Sequence, residues 1–231
     1  MKILVACEES QRVCEAFRQN GHEAYSCDIL PWGGGHPEWH IMGDVLPLVN
    51  GHCDFHTMDM SIHRVDGKWD MLIAHPPCTY LSNVATRAFS LRVTPPEKVV
   101  ERWEKRAKAA VFFMQIMLAD CDKIAVENPK GFMSKAYRKP DQYINPWMFA
   151  DGVDDIENYH SKLTGLWLKG LKPLKGKGKV KTFSCSIYGQ YSSGKNKTWE
   201  DSISRDAGVR SVTFPGIAKA MADQWGGINE E

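Results

Sequence analysis

The sequence predicts an α/β protein built on a mostly parallel sheet. Two observations carry this. Short apolar runs of strand length alternate with amphipathic stretches of helix length through the first half of the chain. With 231 residues, 43% hydrophobic and 25% charged, the chain can also bury a large core without disulfides or metals. The expectation is a single domain spanning residues 1–231.

The elements follow in order. Residues 2–6 (KILVA) read as a strand. Residues 9–20 place Val13 and Phe17 on one helical face, with Gly21 as a stop signal. Residues 23–29 are a second strand ending at Asp28, and residues 69–74 (WDMLIA) a third. A long amphipathic helix is expected over 96–119, opened by Pro95 and Pro96. Residues 123–127 (KIAVE), 163–169 and 181–188 read as further strands, and PGIAKAMADQWG as a last helix. Residues 30–68 and 170–210 carry few strand or helix signals.

Composition narrows the partners. No run of about 18 apolar residues exists, so no membrane span is expected. MKILVACEESQ reads as a first strand rather than a signal peptide. The net charge is +1, so any nucleic-acid binding must come from local patches. Seven scattered cysteines without a CxxC pair point to a reducing, cytoplasmic setting. His36 and His40, and Cys53, His56 and His63, cluster without zinc-finger spacing, so no metal is expected. From Lys162 through Lys197, both included, there are nine lysines and no acidic residue. That stretch is either a solvated loop or a phosphate-contacting surface interleaved with Phe183, Tyr188 and Tyr191.

In parallel α/β sheets, ligands sit beyond the carboxyl ends of the strands, so the polar residues closing each strand carry the chemistry. Asp28 suits a ribose diol, or else a turn. The first turn reads ACEESQ and lacks GxGxxG, which disfavours NAD and FAD. A nucleoside without a pyrophosphate, such as S-adenosylmethionine, needs that geometry less. Asp44 in MGDVLPL can accept from an adenine amino group or serve a surface turn. In HPPCTYLS, two prolines fix the backbone after a buried strand and present Cys78, either as a nucleophile or as a packed thiol. In VENPKGF, Glu127 closes the next strand and can bind a ring nitrogen, or cap a turn.

Taken in order, these motifs resemble the DNA cytosine carbon-5 methyltransferases, particularly short phage-type members. ILVACEESQ matches the first cofactor motif, CDI the ribose acid and GDV the adenine contact. PPCTYLS matches the Pro-Cys nucleophile motif, ENPKGF the Glu-Asn motif, and RSVTFPGIAKAMADQWG the C-terminal motif. The resemblance implies a Rossmann-like methyltransferase fold with a seven-stranded sheet. It implies S-adenosyl-L-methionine held by Ala6, Cys7, Glu8, Ser10, Asp28, Ile29, Asp44, Val45, Pro77 and Thr213. It implies that Cys78 attacks carbon 6 of a cytosine, flipped from DNA or single stranded, while Glu127 binds the ring edge. Pro77, Ser82 and Asn128 are implied on the substrate side. The family's Gln-x-Arg-x-Arg motif is not evident, and Lys162 or Thr164 stands in its place. Residues 170–210 form a reduced target-recognition region, in which Lys175, Lys177 and Lys179 are expected at phosphates. The rival readings are the same chemistry on a free pyrimidine nucleotide, and a catalytically silent homologue that binds DNA.

Overall fold

A computed structural model describes residues 1–202 and 211–227. A seven-stranded sheet organises them, compatible with a Rossmann-like fold. Its strands are β1 (Lys2–Ala6), β2 (Glu23–Asp28), β3 (His40–Met42), β6 (Met71–Ala74), β7 (Ile124–Pro129), β8 (Gln142–Ile144) and β9 (Thr164–Lys169). The spatial order is β3-β2-β1-β6-β7-β9-β8. The first five run parallel, and β9 runs antiparallel between β7 and β8. A separate antiparallel hairpin joins β4 (Cys53–His56) to β5 (Ile62–Val65).

Side-chain alternation along the strands splits the core into two layers. Leu4, Ala6, Leu72, Ala74, Ile124 and Val126 face α2 (Pro96–Met117) through Phe113 and Ile116. Ile3, Val5, Met71, Ile73 and Ala125 face the other way, toward α1 (Arg12–Gln19) and α5 (Pro215–Gly226). The described residues also hold two four-residue helices, α3 (Met133–Ala136) and α4 (Trp199–Ser202).

The register positions the site. Ala6 pairs with Cys27 and with Ala74, and Ala74 pairs with Val126. One residue beyond that row stand Asp28, Cys7, His75 and Glu127, in spatial order across the carboxyl edge. Because β9 is antiparallel, its first residue, Thr164, pairs with Pro129 at the same edge.

Three expectations need correction. Residues 181–188 form no strand. The Ser184 side chain accepts the Ser186 N–H and bends the chain into a 3-10 turn over Cys185–Tyr188. Residues 30–68 are not irregular throughout, since they hold β3, β4 and β5. The first helix begins at Arg12 rather than residue 9, because Cys7 and Gln11 take left-handed φ values of 58° and 59°. The sheet reaches seven strands through β3 and β8, two three-residue strands. Of the Lys-rich region 170–210, residues 203–210 lie outside the described residues.

Candidate active site

The carboxyl edge divides into an acidic half and a thiol half. In the acidic half, Ala6 is buried and hands the chain to Cys7. Burial, then the charges of Asp28, Cys27 and Asp44, push the Cys7 thiol well above its ordinary range. The Gly43 N–H donates to the Asp28 carbonyl at 2.8 Å and Ala6 pairs with Cys27, which brings the first three motifs to one place. Asp28 Oδ1 accepts the Leu30 N–H at 3.0 Å, and Asp44 Oδ1 accepts the Leu46 N–H at 3.0 Å. Ile29 is 77% exposed beside Asp28, while Val45 is buried.

Glu8 has another task. Its carboxylate is buried and accepts the Val13 and Cys14 N–H groups at 2.6 and 3.1 Å. It satisfies the open amides at the start of α1, a role usually given to a capping side chain. Burial raises its pKa to about 7, against lowering by His75 and by the two amides. The turn it anchors is covered by a loop that carries Gly33, Gly34 and Gly35. The Gln11 side chain donates to the His36 carbonyl and accepts the His36 N–H, at 2.8 and 3.1 Å. At Gly34, a Cβ would stand 2.6 Å from Gln11 Cβ, so only glycine permits the approach. Ser10 lines a cleft of about 890 Å³ between this loop, α1 and α5. Thr213 is half-buried two residues before α5. It adjoins Phe214, whose ring packs on Trp199 and His160.

In the thiol half, β6 ends at Ala74 and the chain passes through His75, Pro76 and Pro77 to an exposed Cys78. The Cys78 carbonyl accepts the Leu81 and Ser82 N–H groups at 3.0 and 2.9 Å, which closes the turn. Asn128 is buried and donates to the Pro76 carbonyl at 2.8 Å. Ser82 and Gly131 form an antiparallel bridge, with the Phe132 N–H donating to the Leu81 carbonyl at 2.7 Å. A Cβ on Gly131 would collide with that carbonyl. The loops after β6 and β7 are therefore fastened together at two places.

Glu127 accepts from His75 Nδ1 at 3.2 Å. Burial acts to raise its pKa, but the His75 hydrogen bond and charge, the Lys162 charge and the Thr164 hydroxyl outweigh it. Its carboxyl is held below the ordinary range. The Lys162 charge and the Thr164 hydroxyl thus both act on this carboxylate. Two buried polar atoms here, His75 Nε2 and Asn128 Oδ1, have no hydrogen-bond partner. Behind Cys78, Arg106 donates to the Tyr80 carbonyl at 2.8 Å and lies 3.4 Å from the Phe89 ring centre, latching the loop to α2.

The lysines at 175, 177 and 179 are placed elsewhere. Lys177 and Lys179 pair with a single carboxylate, Asp151, at 2.8 and 3.2 Å. The Lys175 backbone exchanges two hydrogen bonds with Gln224 on α5. Sequence reasoning missed Asp151 because it precedes the lysine run. It also missed the His75–Glu127 contact, whose partners stand 52 residues apart. The histidine clusters serve the fold: His40 bonds Ser26 and the Leu30 carbonyl, and His63 bonds Tyr25 and Thr57. Among the described residues, no group of three or more His, Cys, Asp or Glu is placed to hold a metal ion, and no helix is long and apolar enough to cross a membrane. No protein-family model matches the chain, and no curated protein matches it.

Proposed function

We propose that the protein methylates carbon 5 of cytosine in DNA, using S-adenosyl-L-methionine. One observation carries this reading: an exposed thiol on a Pro-Pro turn is fastened, through Asn128 and the Ser82–Gly131 bridge, to the neighbouring strand end that bears Glu127. Nucleophile and ring-binding acid then face one pyrimidine from two adjacent loops.

The acidic half fits the cofactor's chemistry. Asp28 and Asp44 each spend Oδ1 on their own loop, and a second carboxylate oxygen is the acceptor that a ribose diol or an adenine amino group requires. Exposed Ile29 offers apolar surface to the adenine ring. Glu8 acts one step behind, by holding the start of α1. S-adenosylmethionine, when bound, supplies an electrophilic methyl group.

Carbon 5 of cytosine is a poor nucleophile until carbon 6 is attacked. The Cys78 thiolate forms a bond to carbon 6 as the carbon 5–carbon 6 double bond opens, and the charge that moves onto the ring is met by a proton that Glu127 shares with ring nitrogen 3, which leaves an enamine nucleophilic at carbon 5. After carbon 5 takes the methyl group and the demethylated thioether is left behind, loss of the carbon-5 proton to water and expulsion of the thiolate restore the aromatic ring, and Glu127 is released as the carboxylate. His75, Lys162 and Thr164 favour the ionised form of Glu127 before the base arrives, so the shared proton is taken up with the base. The base reaches this edge only out of the stack.

Pairing of Lys177 and Lys179 with Asp151 favours a second reading, the same chemistry on a free pyrimidine nucleotide, which needs few phosphate contacts. The decisive experiment uses DNA containing 5-fluorocytosine, whose fluorine cannot leave as the proton does. With S-adenosylmethionine, the wild type becomes covalently attached and Cys78→Ala does not. Full methyl transfer by Cys78→Ala would remove the carbon-5 mechanism.

A further inference from the structure

A groove of about 310 Å³ opens beside the reacting edge, between the loops after β6 and β7, the entry to β9 and the Cys185–Tyr188 turn. Its lining has one electrostatic sign. Lys130 and Lys162 supply ammonium groups, and Ser82, Ser161 and Tyr188 supply hydroxyls, while the Thr198 hydroxyl donates to Asp201 at 2.8 Å. No carboxylate among the described residues lines it. The large cleft over α1, by contrast, mixes Glu9, Glu15, Glu157 and Asp223 with Arg12 and Lys219. A concave site with cationic and hydroxyl donors and no carboxylate in its lining favours an anion rich in oxygen, above all a phosphate, although Glu127 and Asp201 stand behind it.

The donors are held in place. The Lys162 ammonium stands 5.6 and 5.8 Å from the ring centres of Trp199 and Phe214. The Tyr188 hydroxyl accepts the Ser161 N–H at 3.0 Å and lies 3.2 Å from His160 Nδ1. Position supplies the rest. Ser82 donates its backbone N–H to the Cys78 carbonyl, and the Lys162 charge is felt at Glu127. The groove therefore starts where the base-binding pair ends.

We propose that this groove binds the phosphate of the nucleotide whose pyrimidine meets Cys78 and Glu127. The base assignment rests on the reading above, whereas the phosphate site is measurable without any methyl transfer. A free phosphomonoester and a strand's phosphodiester share this chemistry, and the probes separate them.

Cys185 is exposed and lines the groove, so it reports occupancy. Iodoacetamide alkylation of Cys185 and Cys78 is followed by peptide mass analysis. The probes are inorganic phosphate, deoxycytidine, deoxycytidine monophosphate, and a short cytosine-bearing oligonucleotide, single stranded and in duplex. Inorganic phosphate and the monophosphate should slow Cys185 about fivefold, and deoxycytidine should not. Lys130 is exposed, and Lys130→Gln should raise the half-protecting monophosphate concentration about fivefold while leaving the fold intact by circular dichroism. Equal protection by deoxycytidine and its monophosphate overturns the proposal, as does unchanged protection in Lys130→Gln. Protection by an oligonucleotide at lower concentration than the monophosphate supports a phosphodiester occupant, and protection by the monophosphate alone supports a free nucleotide. Phosphate protection without methyl transfer to any substrate keeps the groove and sinks the methyltransferase reading. Methyl transfer without phosphate protection does the reverse.

Discussion

The two halves of the carboxyl edge are built by different rules. In the acidic half, each carboxylate is tied to its own stretch of chain. Asp28 and Asp44 bond backbone two residues on, and Glu8 bonds backbone five and six residues on. In the thiol half, the ties cross between strands. Glu127 leans on His75 and Asn128 on Pro76, both across 52 residues. Local ties preform a cradle as soon as a loop closes. Cross-strand ties exist only once the sheet has assembled, and they make the loops after β6 and β7 depend on each other.

The sharpest break of this comparison is Cys78→Ala. It should lower methyl transfer by at least about a thousandfold. S-adenosylmethionine affinity by calorimetry should stay within about threefold, because the acidic half stands without it. A parallel loss of cofactor affinity would mean that the halves are one unit.

Glu8→Gln probes the buried end of the acidic half. A carboxyl raised to about 7 from its ordinary value contributes stability in full below pH 4.5 and loses it as pH rises toward 7. The loss amounts to about 3 kcal/mol at most. Wild-type thermal stability should fall over that window, and Glu8→Gln should flatten the fall in melts at pH 5 and pH 8. Glu127 has the opposite sign. Its depressed pKa gives stability that is present above the ordinary carboxylate range and lost as pH falls through it.

Asp28→Ala sharpens the comparison from the cofactor side. Loss of charge-assisted hydrogen bonds worth about 1.5–3 kcal/mol each should weaken S-adenosylmethionine binding at least tenfold. Cys78 alkylation rates should stay unchanged. The smallest effect belongs to Lys175, Lys177 and Lys179 changed together to Gln. Asp151 already offsets one of their charges. The slope of log K against log salt on duplex DNA should then move by less than about two phosphate contacts, each worth about 0.9. A larger change would restore the lysine run as a phosphate surface.

Legibility in the sequence follows the same division. β1, β2, β6, β7 and β9 were readable because buried central strands are near-continuous apolar runs. β3 and β8 have three residues each, too few for a periodic signal. The run at 181–188 imitates a strand's alternation, but Ser184 offers its side chain to the backbone, and that local bond wins. Asp28, Asp44, Cys78 and Glu127 were visible because each closes a strand or a short motif. The His75 and Thr164 contacts to Glu127, and the Asp151 counter-charge, were not, since only the folded sheet makes them neighbours.

The bridge between Ser82 and Gly131 has a mechanical consequence. Thiol and carboxylate ride on what is effectively one stiff plate, braced from behind by Arg106 on α2. Under the proposed reading, a base would therefore be received with the spacing between thiol and carboxylate preserved. Free energy stored by a substitution at Gly131 would be felt at Leu81, and the two positions should behave in a double-mutant cycle as a single coupled joint.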